Sequence, residues 1–219
     1  NGYSYYCRSL MQYASVLLDL DGTLIDSPKY WHAAYNIAVA SFGKEITDSQ
    51  FREWYPEGAH ITHWLEWLGI GAEHLDTVRM VRDEHYLEYL RHDVAWLEGA
   101  KELLESLKGK VPTGIITGSH RSYVDVLDEA LGVSDLVDIV LTCEDFSSKA
   151  HALQICSEKF SVDLKDSVYI GEQPFDEEGA LGAATPFMVY KGEYTPSSML
   201  DAGHSVITDW AKFRGNLQA

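Results

Sequence analysis

Short apolar runs alternate along the chain with longer stretches in which apolar residues recur every three or four positions. The first run, Val16–Leu18, consists of branched apolar residues and leads into the polar segment Asp19–Thr23, which is typical of a buried strand with an exposed carboxyl end. Further strands are predicted at 113–117, 137–142, 167–170, 187–190 and 205–208, with helices between them. This alternation predicts an α/β fold with a doubly wound parallel sheet.

Residues 28–95 depart from this alternation because they show helical periodicity and no strand pattern. An apolar stripe with the spacing i, i+3, i+4, i+7 runs from Ile61 to Leu68, and Thr47 with Gln50 forms the capping-box signature of a preceding helix. Four helices are predicted in this region. In the first, one face is expected to carry Tyr30, Ala34, Ile37, Ala38 and Ser41.

We therefore expect a core domain of the Rossmann type that is interrupted by an α-helical cap subdomain. The core is predicted to comprise residues 11–27 and 96–219, and the helical cap to comprise residues 28–95. Residues 1–10 precede the first strand and are interpreted as an N-terminal extension to which no function is assigned.

Composition narrows the function without identifying it. The 219 residues carry 17 Lys and Arg against 34 Asp and Glu, and this net charge of −17 argues against nucleic acid or an anionic membrane as the main partner. No apolar run approaches the ~20 residues that a membrane-spanning helix needs. Cys7, Cys143 and Cys156 are odd in number and widely spaced, so we expect no disulfide framework and a reducing, cytoplasmic setting. With His151, the last two cysteines match no zinc-site spacing.

Two carboxylates stand at the end of the first strand. Asp19 and Asp21 lie two positions apart, so in an extended chain their side chains project from the same side. In open α/β sheets, the carboxyl end of a strand borders the crevice that binds the ligand. Two neighbouring carboxylates are unfavourable unless a cation lies between them or one of them carries a proton. The pair therefore predicts a catalytic site.

The segment Asp19–Leu24 resembles the first motif of the haloacid dehalogenase (HAD) superfamily, Asp-x-Asp-Gly-Thr-Leu. Three later features are similar to the remaining motifs of that family and follow in the same order. They are Thr117 before Gly118, Lys149 at the start of a predicted helix, and the segment Gly171–Asp176. The predicted helical cap resembles that of the phosphoglycolate-phosphatase and β-phosphoglucomutase branch, in which the loop 56–60 would contact the substrate.

The resemblance implies a Mg²⁺-dependent phosphatase that acts on a small phosphorylated metabolite. Asp19 would be the nucleophile that forms an aspartyl-phosphate, and Asp21 would be the general acid and base. The metal would be bound by Asp19, by the backbone carbonyl of Asp21 and by Glu172, with Asp176 supporting the metal site. The phosphate group would be bound by Asp19, Asp21, Thr117, Gly118 and Lys149, which also implies catalytic roles for Thr117 and Lys149.

Two positions depart from the family pattern. Glu172 stands where the family has an aspartate, and its extra methylene displaces a carboxylate that must satisfy the near-octahedral geometry of Mg²⁺. Lys149 lacks the glycine and proline residues that usually surround it. Two alternatives therefore stay open, a β-phosphoglucomutase-like phosphomutase and a binding or regulatory protein with a weakened metal site. The second acid, Asp21, favours phosphoryl transfer over dehalogenation.

Overall fold

Six parallel strands form one sheet in the computed structural model, which describes residues 10–58 and 60–215. The strands are β1 (Val16–Leu18), β2 (Thr113–Ile116), β3 (Ile139–Leu141), β4 (Val168–Gly171), β5 (Phe187–Tyr190) and β6 (Ser205–Ile207). Their order across the sheet is β3-β2-β1-β4-β5-β6, and every neighbouring pair is parallel. The α/β fold with a doubly wound parallel sheet, predicted from the alternating pattern, is confirmed.

Helices connect the strands, and four of them lie between β1 and β2 within residues 28–95, hereafter the helical insert. The insert contains α1 (Pro28–Ala40), α2 (Asp48–Trp54), α3 (Ile61–Leu68) and α4 (Leu75–His92). The later helices are α5 (Ala100–Leu107), α6 (Arg121–Leu131), α7 (Lys149–Phe160), α8 (Pro174–Gly182), α9 (Ser197–Leu200) and α10 (Trp210–Gly215). Among the described residues, no helix has both the length and the apolar character needed to cross a bilayer.

The local signals in the insert are confirmed with one exception. The capping box at the start of α2 is present, and the apolar stripe of α3 is buried up to Leu68, where Gly69 ends the helix in the left-handed conformation. Of the predicted face of α1, Ala34 and Ala38 are buried, whereas Ile37 is 38% exposed. Since α1 packs against α4, its buried face also includes Tyr35 and Val39.

The two faces of the sheet are covered by different helices. Successive strand residues point to opposite faces, so Val16 and Leu18 pack with α5, α6 and α10, whereas Leu17 packs with α7 and α8. Leu10 is buried against the first of these layers, and residues 1–9, including Cys7, lie outside the described residues. The apolar side chains on both faces account for the near-continuous hydrophobic runs of the strands.

The insert has a hydrophobic cluster of its own, centred on Phe51, Trp64 and Leu65. Tyr194, from the loop that follows β5, is buried in the same cluster. The two chain segments that lead into and out of the insert are hydrogen-bonded to each other, since the amide of Ala95 donates to Asp26 Oδ1 at 2.8 Å. The division into the predicted core and cap domains stays a prediction.

The strand order places the carboxyl end of β1 at the centre of the sheet. The chain passes from β1 to β2 and β3 on one side and then crosses to β4 on the other, so the order reverses at β1. Crevices for ligands form at such reversals in doubly wound sheets. Asp19 and Asp21 follow β1 at this point.

Candidate active site

A cavity of about 970 Å³ lies between the carboxyl ends of the strands and the helical insert. Asp19, Asp21 and Gly118 line it from the sheet, and residues of α1, α3 and α4 line it from the insert. Gly118 is exposed, and a Cβ atom built on it would meet no atom within 4 Å, so the space beside this turn is open. The predicted pair of acids therefore borders this cavity.

Asp19 is buried at 4% exposure and is held by a lysine from a distant helix. Lys149 Nζ lies 2.7 Å from Asp19 Oδ1, and the Thr23 hydroxyl donates to Oδ2 at 3.2 Å. Burial raises the pKa of Asp19 to about 7, with a further rise from the Asp176 carboxylate and an opposing effect of Lys149. The carboxylate is thus poorly solvated, and positive charge beside it stabilises its ionised form.

Lys149 is the first residue of α7, where the hydroxyl of Ser148 caps the helix. Its ammonium group donates to Asp19, to the Ile116 carbonyl at 2.8 Å and to the Tyr169 hydroxyl at 2.9 Å. Burial by itself would lower the pKa of Lys149, but the carboxylates of Asp176 and Asp19 hold it above its ordinary value. The lysine therefore stays charged beside Asp19, which lines the cavity.

Asp176 fixes the position of this lysine. Its Oδ1 lies 2.9 Å from Lys149 Nζ and accepts the Tyr169 hydroxyl at 2.7 Å, while its Oδ2 accepts the Gln173 amide at 3.0 Å. Because both oxygens already have donors, the geometry favours a positioning role. Tyr169, a strand residue that sequence reasoning missed, belongs to this network, and only its place on β4 two residues before Gly171 hinted at it.

Three hydroxyl groups surround the carboxylate of Asp21. Ser27 donates to Oδ1 at 2.6 Å, and Thr117 and Ser119 donate to Oδ2 at 2.9 and 2.8 Å. Thr117 also accepts the amide of Ser119 at 3.0 Å, so its hydroxyl is directed at Asp21. Direct binding of phosphate by Thr117 stays a prediction. The two serines were missed, although each follows a predicted strand-end motif within a few residues.

Glu172 follows β4 and is completely buried. Gln173 Nε2 donates to Oε1 at 2.7 Å, and the Thr195 hydroxyl lies 3.2 Å from Oε2. A Cβ built on Gly22 would lie 2.2 Å from Oε1, and one on Gly192 would lie 2.1 Å from Oε2. The longer side chain is therefore accommodated in a slot between two glycines, of which Gly22 has a φ of +75°.

The donor set fits a hard divalent cation such as Mg²⁺. Among the described residues, Lys149 is the only cation paired with Asp19 and Asp176. Burial also raises the pKa of Glu172 to about 8, against a hydrogen bond from Gln173 that lowers it. Gln173 Oε1 is buried and accepts no hydrogen bond from the described residues. Oxygen atoms in excess of positive charge are what Mg²⁺ binds.

Cys143 and Cys156 do not form a cluster with His151. Cys143 lies beside His120 and Glu144 instead, with its Sγ 3.5 Å from His120 Nδ1. Cys156 is buried against the opposite face of the sheet. In the loop after α2, residues 57, 58 and 60 line the cavity, and contact of this loop with a substrate stays a prediction.

Tyr55 and Phe175 reach the cavity from opposite sides and were both missed. Burial raises the pKa of Tyr55 well above its ordinary value, and the carboxylates of Glu172, Asp21 and Asp19 add to the rise, so its hydroxyl stays a neutral donor near the acids. The Phe175 ring lies 5.4 Å from Lys149 Nζ and contacts the position of Gly58 in the insert. Aromatic residues are common in helical cores, so the sequence offered no signal that separates these two.

Comparisons with known proteins agree with this geometry. Residues 16–190 match the family described as haloacid dehalogenase-like hydrolase. The chain is 26% identical over 180 residues to a phosphoglycolate phosphatase of Yersinia pestis, with 78% of each protein covered. It is 30% identical over 139 residues to validoxylamine A 7′-phosphate phosphatase of Streptomyces hygroscopicus subsp. limoneus, with 62% of this chain and 64% of that protein covered. The crystal structure of CbbY from Rhodobacter sphaeroides in complex with phosphate has a TM-score of 0.78 at 17% identity, covering 94% and 100% of the two chains.

Proposed function

The chain belongs to the haloacid dehalogenase-like hydrolases and is a phosphatase, and we propose that it hydrolyses a phosphate monoester through an aspartyl-phosphate on Asp19. One observation carries this proposal. The buried carboxylate of Asp19 borders the cavity with one oxygen held by Lys149 and with Asp21 nearby. A nucleophile, a fixed positive charge and a second acid are the parts that phosphoryl transfer requires.

In the first step, Asp19 Oδ2 attacks phosphorus as the bond from phosphorus to the ester oxygen breaks. Asp21, in its protonated form, gives its proton to the departing alcohol oxygen. Lys149, on Oδ1, stabilises the negative charge that spreads over the carboxylate and the phosphoryl oxygens. The hydroxyls of Ser27, Thr117 and Ser119 hold Asp21 in one orientation for this proton transfer.

In the second step, a water molecule attacks the phosphorus of the aspartyl-phosphate. Asp21, now ionised, accepts the proton of that water, and the bond between phosphorus and Asp19 breaks to release inorganic phosphate. Asp19 returns as the carboxylate and Asp21 returns as the acid, so both groups are restored. Asp176 and Tyr169 act by keeping Lys149 in place throughout.

Asp19, the Asp21 backbone carbonyl and Glu172 would hold Mg²⁺, which supplies charge neutralisation for the phosphoryl group when bound. Glu172 contributes to this site from the slot between Gly22 and Gly192. We expect EDTA to abolish hydrolysis and excess Mg²⁺ to restore it. Isothermal titration of the EDTA-treated protein with MgCl₂ gives a readout that is independent of turnover.

The test compares Asp19→Asn with the unmodified protein, using p-nitrophenyl phosphate and measuring both p-nitrophenol and inorganic phosphate. We expect a loss of about a thousandfold or more in kcat, because the amide cannot act as the nucleophile. Asp125→Asn, at an exposed position on α6, is the matched control and is expected to retain full activity.

Equal activity of the Asp19→Asn variant and the unmodified protein would rule out the aspartyl-phosphate. Release of the alcohol and phosphate in equal amounts separates a phosphatase from the phosphomutase alternative, which retains the phosphoryl group for transfer to a second hydroxyl. Activity that depends on Asp19 and Mg²⁺ likewise rules out the scaffold with a weakened metal site.

A further inference from the structure

Several aromatic rings line the insert side of the cavity. Trp31, Tyr35, Trp64 and Tyr86 come from the insert and Tyr123 comes from α6, and these five residues are hereafter the aromatic wall. The Trp31 and Tyr86 rings lie 4.7 Å apart edge to face, and the Tyr35 and Trp64 rings are stacked at 4.4 Å. Their mutual packing fixes a rigid apolar surface that borders open space.

One member of the aromatic wall has an unused polar group. Trp64 is 3% exposed, and its Nε1–H has no acceptor among the described residues. A buried donor without a partner costs about 1–3 kcal/mol, so such groups are rare in folded proteins. Trp64 lines the cavity, but its Nε1 atom is itself buried, so this donor is closed to a ligand in the cavity.

An acceptor is available beside the same wall. Asp83 Oδ1 receives three hydrogen bonds, from Arg82 Nε at 2.8 Å, from Arg82 Nη2 at 2.6 Å and from the Tyr123 hydroxyl at 2.7 Å. Asp83 Oδ2 receives none from the described residues, and the side chain is 31% exposed in the cavity lining. A ligand with an N–H or O–H group therefore has a carboxylate oxygen to bind.

The charged side chains near the aromatic wall do not favour a leaving group that carries an anion in addition to the phosphate. Arg82 forms an ion pair with Asp83, and its Nη1 donates to the Tyr35 hydroxyl at 2.7 Å. Arg79, the other arginine in the lining, lies 3.8 Å from Asp76. A leaving group that carries a carboxylate would meet the free oxygen of Asp83 here, which is unfavourable.

The volume of the cavity also favours a leaving group larger than a two-carbon acid. Sites for drug-sized ligands are typically ~300–1,000 Å³, and this cavity is about 970 Å³. Space of this extent exceeds what a two-carbon acid needs beside its phosphate group. The cavity accommodates a ring system in addition to the phosphoryl group at Asp19.

We propose, on the basis of the phosphatase function above, that the aromatic wall binds the leaving group of the substrate. The leaving group is a ring that carries a hydrogen-bond donor, as in a nucleoside 5′-monophosphate or a donor-substituted arylalkyl phosphate. Asp83 Oδ2 accepts the hydrogen bond from this donor. Carboxylate-bearing esters such as 2-phosphoglycolate are poor substrates.

Binding tests the ring subsite without turnover. We compare the Kd of 3-phenylpropylphosphonate with that of propylphosphonate, by calorimetry in the presence of Mg²⁺. The ring is expected to tighten binding about 10- to 100-fold, because it transfers apolar surface from water to the wall. Trp31→Leu is expected to reduce this ratio to below about fivefold. Trp67→Leu, on α3 with 41% exposure and outside the lining, is the matched control that retains the ratio.

Hydrolysis distinguishes the two sources of the ring. The kcat/KM values of adenosine 5′-monophosphate, 2-phenylethyl phosphate and 2-phosphoglycolate are measured side by side, since all three have alkyl leaving oxygens. We expect the first to exceed the second, because only adenine offers a hydrogen-bond donor. If 2-phenylethyl phosphate equals or exceeds the nucleotide, the hydrogen bond to Asp83 is not used and that part of the inference is wrong. Both ring-bearing esters are expected to exceed 2-phosphoglycolate at least tenfold.

Asp83→Asn provides a variant that preserves the local packing. Asparagine retains the Oδ1 atom that accepts all three hydrogen bonds and replaces Oδ2 with an amide donor. We expect the ratio of adenosine 5′-monophosphate to 2-phenylethyl phosphate to fall about fivefold or more, and 2-phosphoglycolate to improve relative to both. An unchanged ratio would remove Asp83 from the recognition of the ring.

Three results would overturn the inference as a whole. They are equal affinity for the two phosphonates, an equal effect of the Trp31 and Trp67 variants, and preference for 2-phosphoglycolate over both ring-bearing esters. If no ester is hydrolysed, the proposed phosphatase function fails. The phosphonate affinities then still decide whether the aromatic wall binds a ring.

Discussion

Replacing Lys149 with methionine removes the ammonium group that compensates the buried carboxylates of Asp19 and Asp176. Methionine has a similar length and an unbranched chain, so the change deletes the charge and its hydrogen bonds while retaining most of the apolar contacts. Asp19 Oδ1, Asp176 Oδ1 and the Ile116 carbonyl each lose a donor that lay within 2.7–2.9 Å. Two carboxylates then remain buried beside each other without a counter-ion.

The cost follows from burial. Lys149 is 7% exposed, and the side chains of Asp19 and Asp176 are 6% and 0% exposed, so water cannot replace the lost ammonium group. Removing one partner of a buried ion pair typically costs about 3–5 kcal/mol. For a chain of this size, each kcal/mol lowers Tm by about 2–4 °C, so we expect a fall of about 6–20 °C.

The assay is urea unfolding, followed by tryptophan fluorescence in the presence of EDTA so that no divalent cation substitutes for the lysine. Lys159→Met is the matched control, because Lys159 is exposed on the same helix, α7. We expect the control to change the free energy of unfolding by less than about 0.5 kcal/mol. A loss below about 1 kcal/mol for the Lys149 variant, or equal losses in the two variants, would refute the argument that this lysine compensates buried negative charge.

Two further predictions concern backbone space and pH. In Gly22→Ala, the new Cβ lies 2.2 Å from Glu172 Oε1 at a φ of +75°, so we expect a loss of about 3 kcal/mol or more and no hydrolysis. Gly109→Ala is the control, because Gly109 has a φ of +71° and an added Cβ would meet no atom within 4 Å. Its free energy of unfolding should fall by only about 1–2 kcal/mol. Equal losses in the two variants would contradict the clash with Glu172. For Glu144, burial raises the pKa, but hydrogen bonds led by that from His120 lower it to about 2. The stabilisation is present above the ordinary value near 4.5 and is lost as pH falls through 2. The difference in Tm between the unmodified protein and Glu144→Gln should therefore shrink from pH 6 to pH 2. A constant difference would refute the stabilisation by the ionised Glu144.

Local patterns predicted the six strands and most of the helices, whereas the short helices α9 and α10 were not predicted. The β5 limits, Phe187–Tyr190, were predicted correctly, and α7 begins at Lys149, where a helix start was predicted. These signals are local because apolar runs and helix caps act over a few residues. The face predicted for α1 included Ile37, which is exposed, because only the packing against α4 decides which of several apolar residues faces inward.

The site was predictable only where a motif ends a strand. Asp19, Asp21 and Lys149 each stand at the end of a strand or at the start of a helix, and the structure brings them to one end of the sheet. Their partners come from distant parts of the chain, such as Tyr169 under Lys149 and Tyr123 beside Asp83. A sequence pattern carries no information on which side chains meet across 20 or 40 residues, so these contacts required the fold.

The loop after β5 has a consequence for protein engineering. Tyr194 completes the hydrophobic cluster of the insert, Arg52 donates to the Glu193 carbonyl at 2.6 Å, and Thr195 lies against Glu172. This one loop therefore belongs to the insert and to the acid-bearing end of the sheet at once. A chimera that receives a foreign insert at residues 28–95 needs the matching loop as well, since otherwise the graft leaves an apolar gap and a displaced acid.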